Sequence, residues 1–332
     1  MHSHALHETE LAPRCCGCLV QRVSIAFQKV AVVGSGALGL FYGSRLGLGG
    51  ADVRFLMRRD LDAVRARGSI VVNVKENDTR EELRPVSVFA SAEEIGPVDL
   101  VLVTLKTTAN DALAKLLPPL LGPDTAVLTL QNGLGADEQI ASIVGAERVL
   151  GTLAFIASTR TGAGEVSVFH VGGITLGEFG RPATDRTRAL AEQFKAARVK
   201  VKLVDDLLSA RWHKLVWNVP FNGLAVAGNI TTDRICADPT LAQRVHALMR
   251  EVQSAAALFG TQINDDFLKQ QFDVTPPMGA YQPSSLVDFR AGREVEIESI
   301  WGEPLRRAQA KGAAMPELAR LYQELKDATA KR

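Results

Sequence analysis

The sequence predicts an α/β domain built on a parallel sheet, followed by an all-α domain. Three observations point to this. A β-branched run ends in a glycine-rich turn and leads into helical spacing, further short apolar runs follow as far as about residue 205, and beyond that the pattern is helical with almost no strand alternation. At 332 residues, with 46% hydrophobic and 23% charged residues, the chain is long enough for two domains with cores of their own.

The first strand is Lys29-Val30-Ala31-Val32-Val33, and Gly34-Ser35-Gly36-Ala37-Leu38-Gly39 ends it. Leu38, Leu40, Phe41 and Leu46 continue at helical spacing, and Asp52 to Met57 returns as a strand, which completes a unit of βαβ size. Ser69 to Val74 and Val86 to Phe89 read as short strands around a polar turn at Glu76 to Arg80. Asp99 to Thr104 and Thr125 to Leu130 read as strands on either side of a helical stretch from Asn110 to Leu121. Val149 to Ala154, Glu165 to Val171, Ile174 to Leu176 and Lys200 to Val204 are further strands, with an amphipathic helix from Arg186 to Ala197. Leu207 to Asn218, Leu241 to Phe259 and Leu286 to Ala310 carry helical periodicity. The expected organisation is an extension over 1–28, poorly ordered, an α/β domain over 29–205 and a helical domain over 206–332.

Composition narrows the partners. Lys and Arg total 38 against 37 Asp and Glu, so no net field draws in a phosphate backbone, and nucleic acid is disfavoured. No apolar run approaches the roughly 18 to 20 residues that span a bilayer. The first residues lack the apolar core and small-residue cleavage site of a secretory signal, so a cytoplasmic location is expected. Cys15, Cys16 and Cys18 lie near His2, His4 and His7, but their spacing matches no pair-of-pairs zinc pattern, and no metal is expected. Cys236 is remote from them, so the four cysteines do not form a disulfide framework.

The glycine turn carries the cofactor argument. A GxGxxG match alone is weak, but this one follows a strand and opens a helix. Gly34 then makes the tight turn, Gly36 lets backbone approach a pyrophosphate, and Gly39 permits close helix-to-strand packing. The helix N-terminus offers free N–H donors through Ser35, Ala37 and Leu38. At the end of the second strand an NAD site usually has a carboxylate, whereas this chain has Met57-Arg58-Arg59. A guanidinium binds a 2'-phosphate bidentately, so NADP is expected, with Arg58 the leading contact. Asp60 is the competing feature, since its carboxylate suits a ribose hydroxyl.

The chemical argument rests on Lys214, Asn218 and Asn222. They recur every four residues and form one polar stripe on a helix beside Trp212, Leu215, Val219 and Phe221. Pro220 removes one helical hydrogen bond and threatens to kink the helix before Asn222. A lysine there suits an acid beside a substrate carbonyl, and it equally suits a side chain that snorkels to water. In the segment from Ser284 to Glu298, Ser284 is a candidate helix cap, Glu294 and Glu298 share a face with Arg290, and Glu296 falls on the apolar side. A carboxylate on that side needs a partner, and a cleft-facing lysine is a natural one.

Taken together, the glycine motif, Leu105-Lys106 after a strand, Gln131-Asn132-Gly133-Leu134-Gly135, Lys214 with Asn218 and Asn222, and the Ser284 to Glu296 segment resemble the 2-dehydropantoate 2-reductase (ketopantoate reductase) family. This family is a branch of the 6-phosphogluconate dehydrogenase-like reductases, and the resemblance runs from about residue 29 to near the C-terminus. It implies a Rossmann-type domain plus a helical domain, and NADPH-dependent reduction of a 2-keto acid to a 2-hydroxy acid in the pantothenate and coenzyme A pathway. By the same resemblance, Lys214 is the catalytic lysine and Glu296 its partner. Asn132 lies between nicotinamide and substrate, Asn218, Asn222 and Ser284 bind substrate, and Lys106 is a loop lysine near both. A homodimer is expected by analogy. Two rivals stand beside this reading, a reductase of the same architecture acting on another 2-keto acid and a noncatalytic NADP-binding sensor.

Overall fold

The computed structural model describes residues 26–331. The cysteine and histidine cluster before Val20 and nearly all of the expected extension lie outside the described residues. Phe27, assigned above to the extension, is instead buried, and its backbone exchanges hydrogen bonds of 3.0 and 2.9 Å with the Gln193 side chain.

The strands are β1 (Lys29–Val33), β2 (Asp52–Leu56), β3 (Ile70–Val74), β4 (Thr79–Leu83), β5 (Ser87–Phe89), β6 (Val98–Val103), β7 (Leu121–Thr129), β8 (Val149–Gly162), β9 (Glu165–Glu178) and β10 (Lys200–Leu203). They form one sheet in the order β4-β3-β9-β8-β7-β6-β1-β2-β5, with β10 also paired to β9. From β8 to β5 every pairing is parallel, as the buried, β-branched sequences of β1 and β6 predict. The sheet as a whole is mixed, because β8 pairs antiparallel with β9 and β3 with β4. The polar turn expected at Glu76 to Arg80 is shorter, and Thr79 already begins β4, whose charged run Arg80-Glu81-Glu82 suits a sheet edge. What the sequence divides into separate strands after Val149 is one long hairpin of β8 and β9.

The helices of the sheet domain are α1 (Ala37–Leu48), α2 (Leu61–Arg67), α3 (Ala92–Ile95), α4 (Leu113–Leu116), α5 (Ala136–Val144) and α6 (Asp185–Ala196). One core, with Phe41, Tyr42, Leu46 and Phe194, lies between the sheet and α1 and α6; another, with Ile95, Leu113, Leu117 and Ile140, covers the opposite face. The expected helix from Asn110 to Leu121 is instead a 3-10 turn at Thr107–Ala112 followed by the short α4, which ends where Pro118 and Pro119 cannot continue it.

The remaining chain is helical: α7 (Leu207–Gly228), α8 (Thr232–Ala237), α9 (Pro239–Ala257), α10 (Asp265–Asp273), α11 (Ser284–Arg290), α12 (Glu303–Ala310) and α13 (Pro316–Ala330). α7 forms the axis of a third core with Trp212, Val219, Met249, Trp301 and Leu321. Asp206 caps its start by accepting from Ser209 N at 2.8 Å, and Asn229 ends it in the left-handed conformation. Pro220 does not interrupt it. Trp301 Nε1 donates to the Val219 carbonyl at 2.9 Å, and Gly223 leaves room for that indole. The continuous helix expected from Leu286 to Ala310 is instead two helices. α11 stops at Arg290, Gly292 takes φ +70, and the chain re-enters helix through a π-helical turn at Glu298–Gly302. Such a turn widens the backbone spiral and is common beside functional sites.

Candidate active site

The strand order reverses between β1 and β6, and the loops that follow β1, β6 and β7 open at the same end of the sheet. A crevice at the carboxyl ends of parallel strands is where ligands bind in such sheets. Gly34 forms the turn after β1 with φ +111, a conformation that leaves no room for a side chain against Leu105 and Thr104. A Cβ on Gly39 would overlap the Gly34 carbonyl oxygen and lie 2.6 Å from Thr104 Oγ1, so this glycine seats α1 against the turn. Gly36 differs from both, since a Cβ there meets nothing within 4 Å. It is exposed, and no side chain caps the first-turn amides of α1. Open space above uncapped amides fits a dinucleotide pyrophosphate. Ser35 is anchored at the same place, donating to the Leu56 carbonyl at 2.7 Å.

Arg58 and Arg59 are exposed at the end of β2. Asp60 is buried and committed elsewhere: its carboxylate accepts from Arg160 Nη2 at 2.9 Å and from Gly164 N at 3.2 Å, which ties α2 to the β8–β9 hairpin. Both oxygens of the carboxylate considered for a ribose contact are thus engaged within the protein.

Lys214 reaches the crevice from α7. Its ammonium donates to Asn132 Oδ1 and to the Ala154 carbonyl, each at 2.9 Å, so the helical domain is joined there to the loop after β7 and to β8. A small cleft at this junction is lined by Asn132, Thr152, Leu153, Lys214 and Asn218. Burial, together with the nearby charge of Arg211, lowers the Lys214 pKa to about 7, with Glu296 opposing. The snorkelling alternative does not describe this lysine, whose head group is held by protein acceptors.

The stripe expected on α7 is present. Asn222 Nδ2 lies 3.5 Å from Asn218 Oδ1, and Asn222 Oδ1 accepts from Ser285 N at 3.0 Å. Ser284 is not the cap expected of it: it is the first residue of α11, and its hydroxyl lies 3.5 Å from Asn222 Oδ1. Glu296 lies in the non-helical segment before the π turn, so the helical spacing that put it on an apolar face does not apply. Its Oε1 accepts from Thr107 N at 2.9 Å and from Thr107 Oγ1 at 3.1 Å, and it influences Lys214 through space. Lys106 ion-pairs with Asp288, which also accepts from Arg293 at 2.8 Å; burial lowers the Lys106 pKa, against the pull of Glu296.

Two contributions were not foreseen. Arg211 is buried and grips Asp137, with Nη2 to Oδ1 at 2.6 Å, while Nη1 donates to the Gln131 carbonyl at 3.1 Å. The Asn132 loop is thus fixed from α7 itself. On its other side Gly133 packs against the Ser299 carbonyl, which accepts from Leu134 N at 2.8 Å, so the π turn buttresses the same loop. The one signal for Arg211 in the sequence is a second cation three residues before Lys214 on the same helix.

A sheet domain with a glycine turn of the dinucleotide-binding kind, a helical domain and a lysine held where they meet fit a two-domain, nicotinamide-dependent oxidoreductase. The comparisons agree with that class. Residues 30–181 match the ketopantoate reductase PanE/ApbA family, and residues 206–329 match its C-terminal domain. A 2-dehydropantoate 2-reductase of Nostoc sp. is 40% identical over 304 residues, covering 90% of this chain and 94% of its own. The crystal structure of 2-dehydropantoate 2-reductase from Geobacter metallireducens GS-15 aligns with a TM-score of 0.87 at 42% identity, over 91% of this chain and 100% of that one. The enzyme from Methylococcus capsulatus gives 0.84 at 31% identity, over 91% and 97%. The chain belongs to the ketopantoate reductase family.

Proposed function

We propose that this chain reduces 2-dehydropantoate to pantoate with NADPH, Lys214 serving as the general acid. The observation that carries the reading is the Lys214 ammonium. Two of its three N–H bonds are directed to Asn132 and Ala154, which leaves one for a substrate carbonyl in the crevice. A reduced nicotinamide dinucleotide, when bound, supplies the hydride for the keto carbon. Gly34, Ser35, Gly36, Ala37, Leu38 and Gly39 would hold its pyrophosphate, and Lys106 and Asn132, on the loops after β6 and β7, would face its nicotinamide end.

Lys214 polarises the substrate carbonyl and gives its proton to the alkoxide as that forms. A pKa near 7 suits the task, because the lysine is then protonated enough to donate and acidic enough to do so readily. Asn218, Asn222 and Ser284 offer amide and hydroxyl groups to the substrate carboxylate and hydroxyl. Glu296, fixed by Thr107, supplies the negative charge that keeps Lys214 from losing its proton too early. Arg58 with Arg59 favours NADPH, and the engagement of Asp60 by Arg160 removes the nearest candidate for the ribose hydroxyl of NADH. A homodimer and a cytoplasmic location belong to the same reading on family resemblance.

The test follows the absorbance of NADPH with and without 2-dehydropantoate, in parallel with NADH. Turnover that requires the keto acid and prefers NADPH is expected. Binding of NADPH without turnover on any keto acid would favour the sensor instead.

A further inference from the structure

Phe155 is one of the few large apolar side chains left in the open, 48% exposed, although it follows directly on the residue that holds Lys214. Its ring stands 5.3 Å from the Lys214 ammonium, centroid to Nζ. The strand paired with it, β9, is irregular at this point. Ala154 pairs with Ile174 and Ile156 with Val171, so the single residue Phe155 faces two, Gly172 and Gly173. This is a β-bulge, a device that re-aims a side chain and is frequent beside active sites. The glycine opposite is sterically required, since a Cβ on Gly172 would overlap the Phe155 carbonyl oxygen and lie 3.0 Å from the Phe155 side chain.

We propose that Phe155 is a specificity-determining residue, forming the apolar wall against which the C3 substituent of a branched 2-keto acid packs. The inference rests on the reading of Lys214 as the group that meets the substrate carbonyl. A carbonyl oxygen accepts from an ammonium at about 2.9 Å, so its two substituents fall within reach of whatever surrounds Nζ. The carboxylate, and the terminal hydroxyl where the other substituent carries one, are drawn to the amides and hydroxyl of Asn218, Asn222 and Ser284. What remains of a branched substituent is its methyl groups, and an apolar side chain beside the ammonium is the Phe155 ring, on the strand that also brings Leu153 to the cleft. Burying that ring and the substituent together removes both from water, a gain that a keto acid with only a methyl group cannot match.

The proposal is tested by measuring kcat and KM for NADPH-dependent reduction of pyruvate, 3-methyl-2-oxobutanoate and 2-dehydropantoate by wild type, Phe155→Ala and Phe155→Leu. Because the side chain is half exposed and outside the core clusters, its truncation leaves the fold in place, which NADPH binding checks independently. Expected is a loss in kcat/KM of about 10- to 200-fold for the two branched substrates in Phe155→Ala, chiefly in KM. Pyruvate changes little, and Phe155→Leu recovers most of the loss. Equal losses for all three keto acids, carried by kcat, would overturn the proposal alone, since Phe155 would then act on Lys214 and not on the substrate. Wild-type protein inert toward all three would overturn the catalytic reading and the proposal with it.

Discussion

Arg211 holds Asp137 with two nitrogens of its guanidinium, and the residue that does so stands three positions before Lys214 on the same helix. One buried ion pair thereby fixes the loop that carries Asn132 and also places a positive charge close enough to lower the Lys214 pKa. Removing one partner of a buried pair leaves an uncompensated charge and costs about 3–5 kcal/mol. Arg211→Met is therefore expected to lower stability on that scale in urea denaturation. It is also expected to move the basic limb of the pH–rate profile upward, because a cation that disfavours protonated Lys214 has gone. A limb that stayed in place would show that Arg211 serves the loop alone.

Lys214 gives a second expectation with a definite sign. Reduction needs the protonated amine, so the rate should fall as pH rises through about 7. Lys214→Ala should lower kcat by roughly 100- to 10,000-fold while NADPH binding persists. Stability runs the other way. A lysine whose folded pKa lies below its unfolded value penalises the fold fully below about pH 7, and the penalty fades as pH rises toward the unfolded value. Lys214→Met should therefore melt at a higher temperature than wild type at pH 6, by a margin that shrinks at pH 9, as thermal unfolding at the two pH values would show.

How much of this was legible depended on whether the signal was local. The strand, turn and helix around Gly34 to Gly39 are set by neighbours in sequence, and so is the 214, 218, 222 stripe on α7, which Pro220 does not break. The segment after Arg290 was misread because periodicity assumes one helix, whereas Gly292 turns the chain and the π turn resets its phase. Glu296 still reaches the site, but by a loop and through Thr107, a partner 189 residues away. Asp137 and Arg211 lie 74 residues apart, and nothing in either local pattern announces the other. The long antiparallel pairing of β8 with β9 was hidden for a related reason: the bulge opposite Phe155 splits one strand into two apparent ones, Glu165 to Val171 and Ile174 to Leu176.

The glycine turn offers a pair of substitutions with opposite expected effects. Gly39→Ala drives a methyl group into the Gly34 carbonyl and Thr104, and it is expected to destabilise the domain by about 1–3 kcal/mol, visible in denaturation without cofactor. Gly36→Ala meets nothing in the protein, so stability should hold while the KM for NADPH rises, the methyl group occupying space that a pyrophosphate needs. Were Gly36→Ala to bind NADPH as wild type does, the cradle would have to lie elsewhere.

Arg58 tests the choice of dinucleotide. It is exposed at the end of β2, so Arg58→Ala should leave the melting temperature unchanged. A guanidinium on a 2'-phosphate contributes charge-assisted hydrogen bonds of about 1.5–3 kcal/mol each. Loss of one such bond predicts a rise of roughly 10- to 150-fold in the KM for NADPH, that being the same energy expressed as a ratio at 1.4 kcal/mol per tenfold. The KM for NADH, which has no phosphate there, should stay where it was. Steady-state assays of both cofactors with the same keto acid read the two values side by side. Parallel increases for both would move the phosphate contact to Arg59 or to a group on another element, and a fall in the NADH value would mean that Arg58 excludes that cofactor as well as selecting the other.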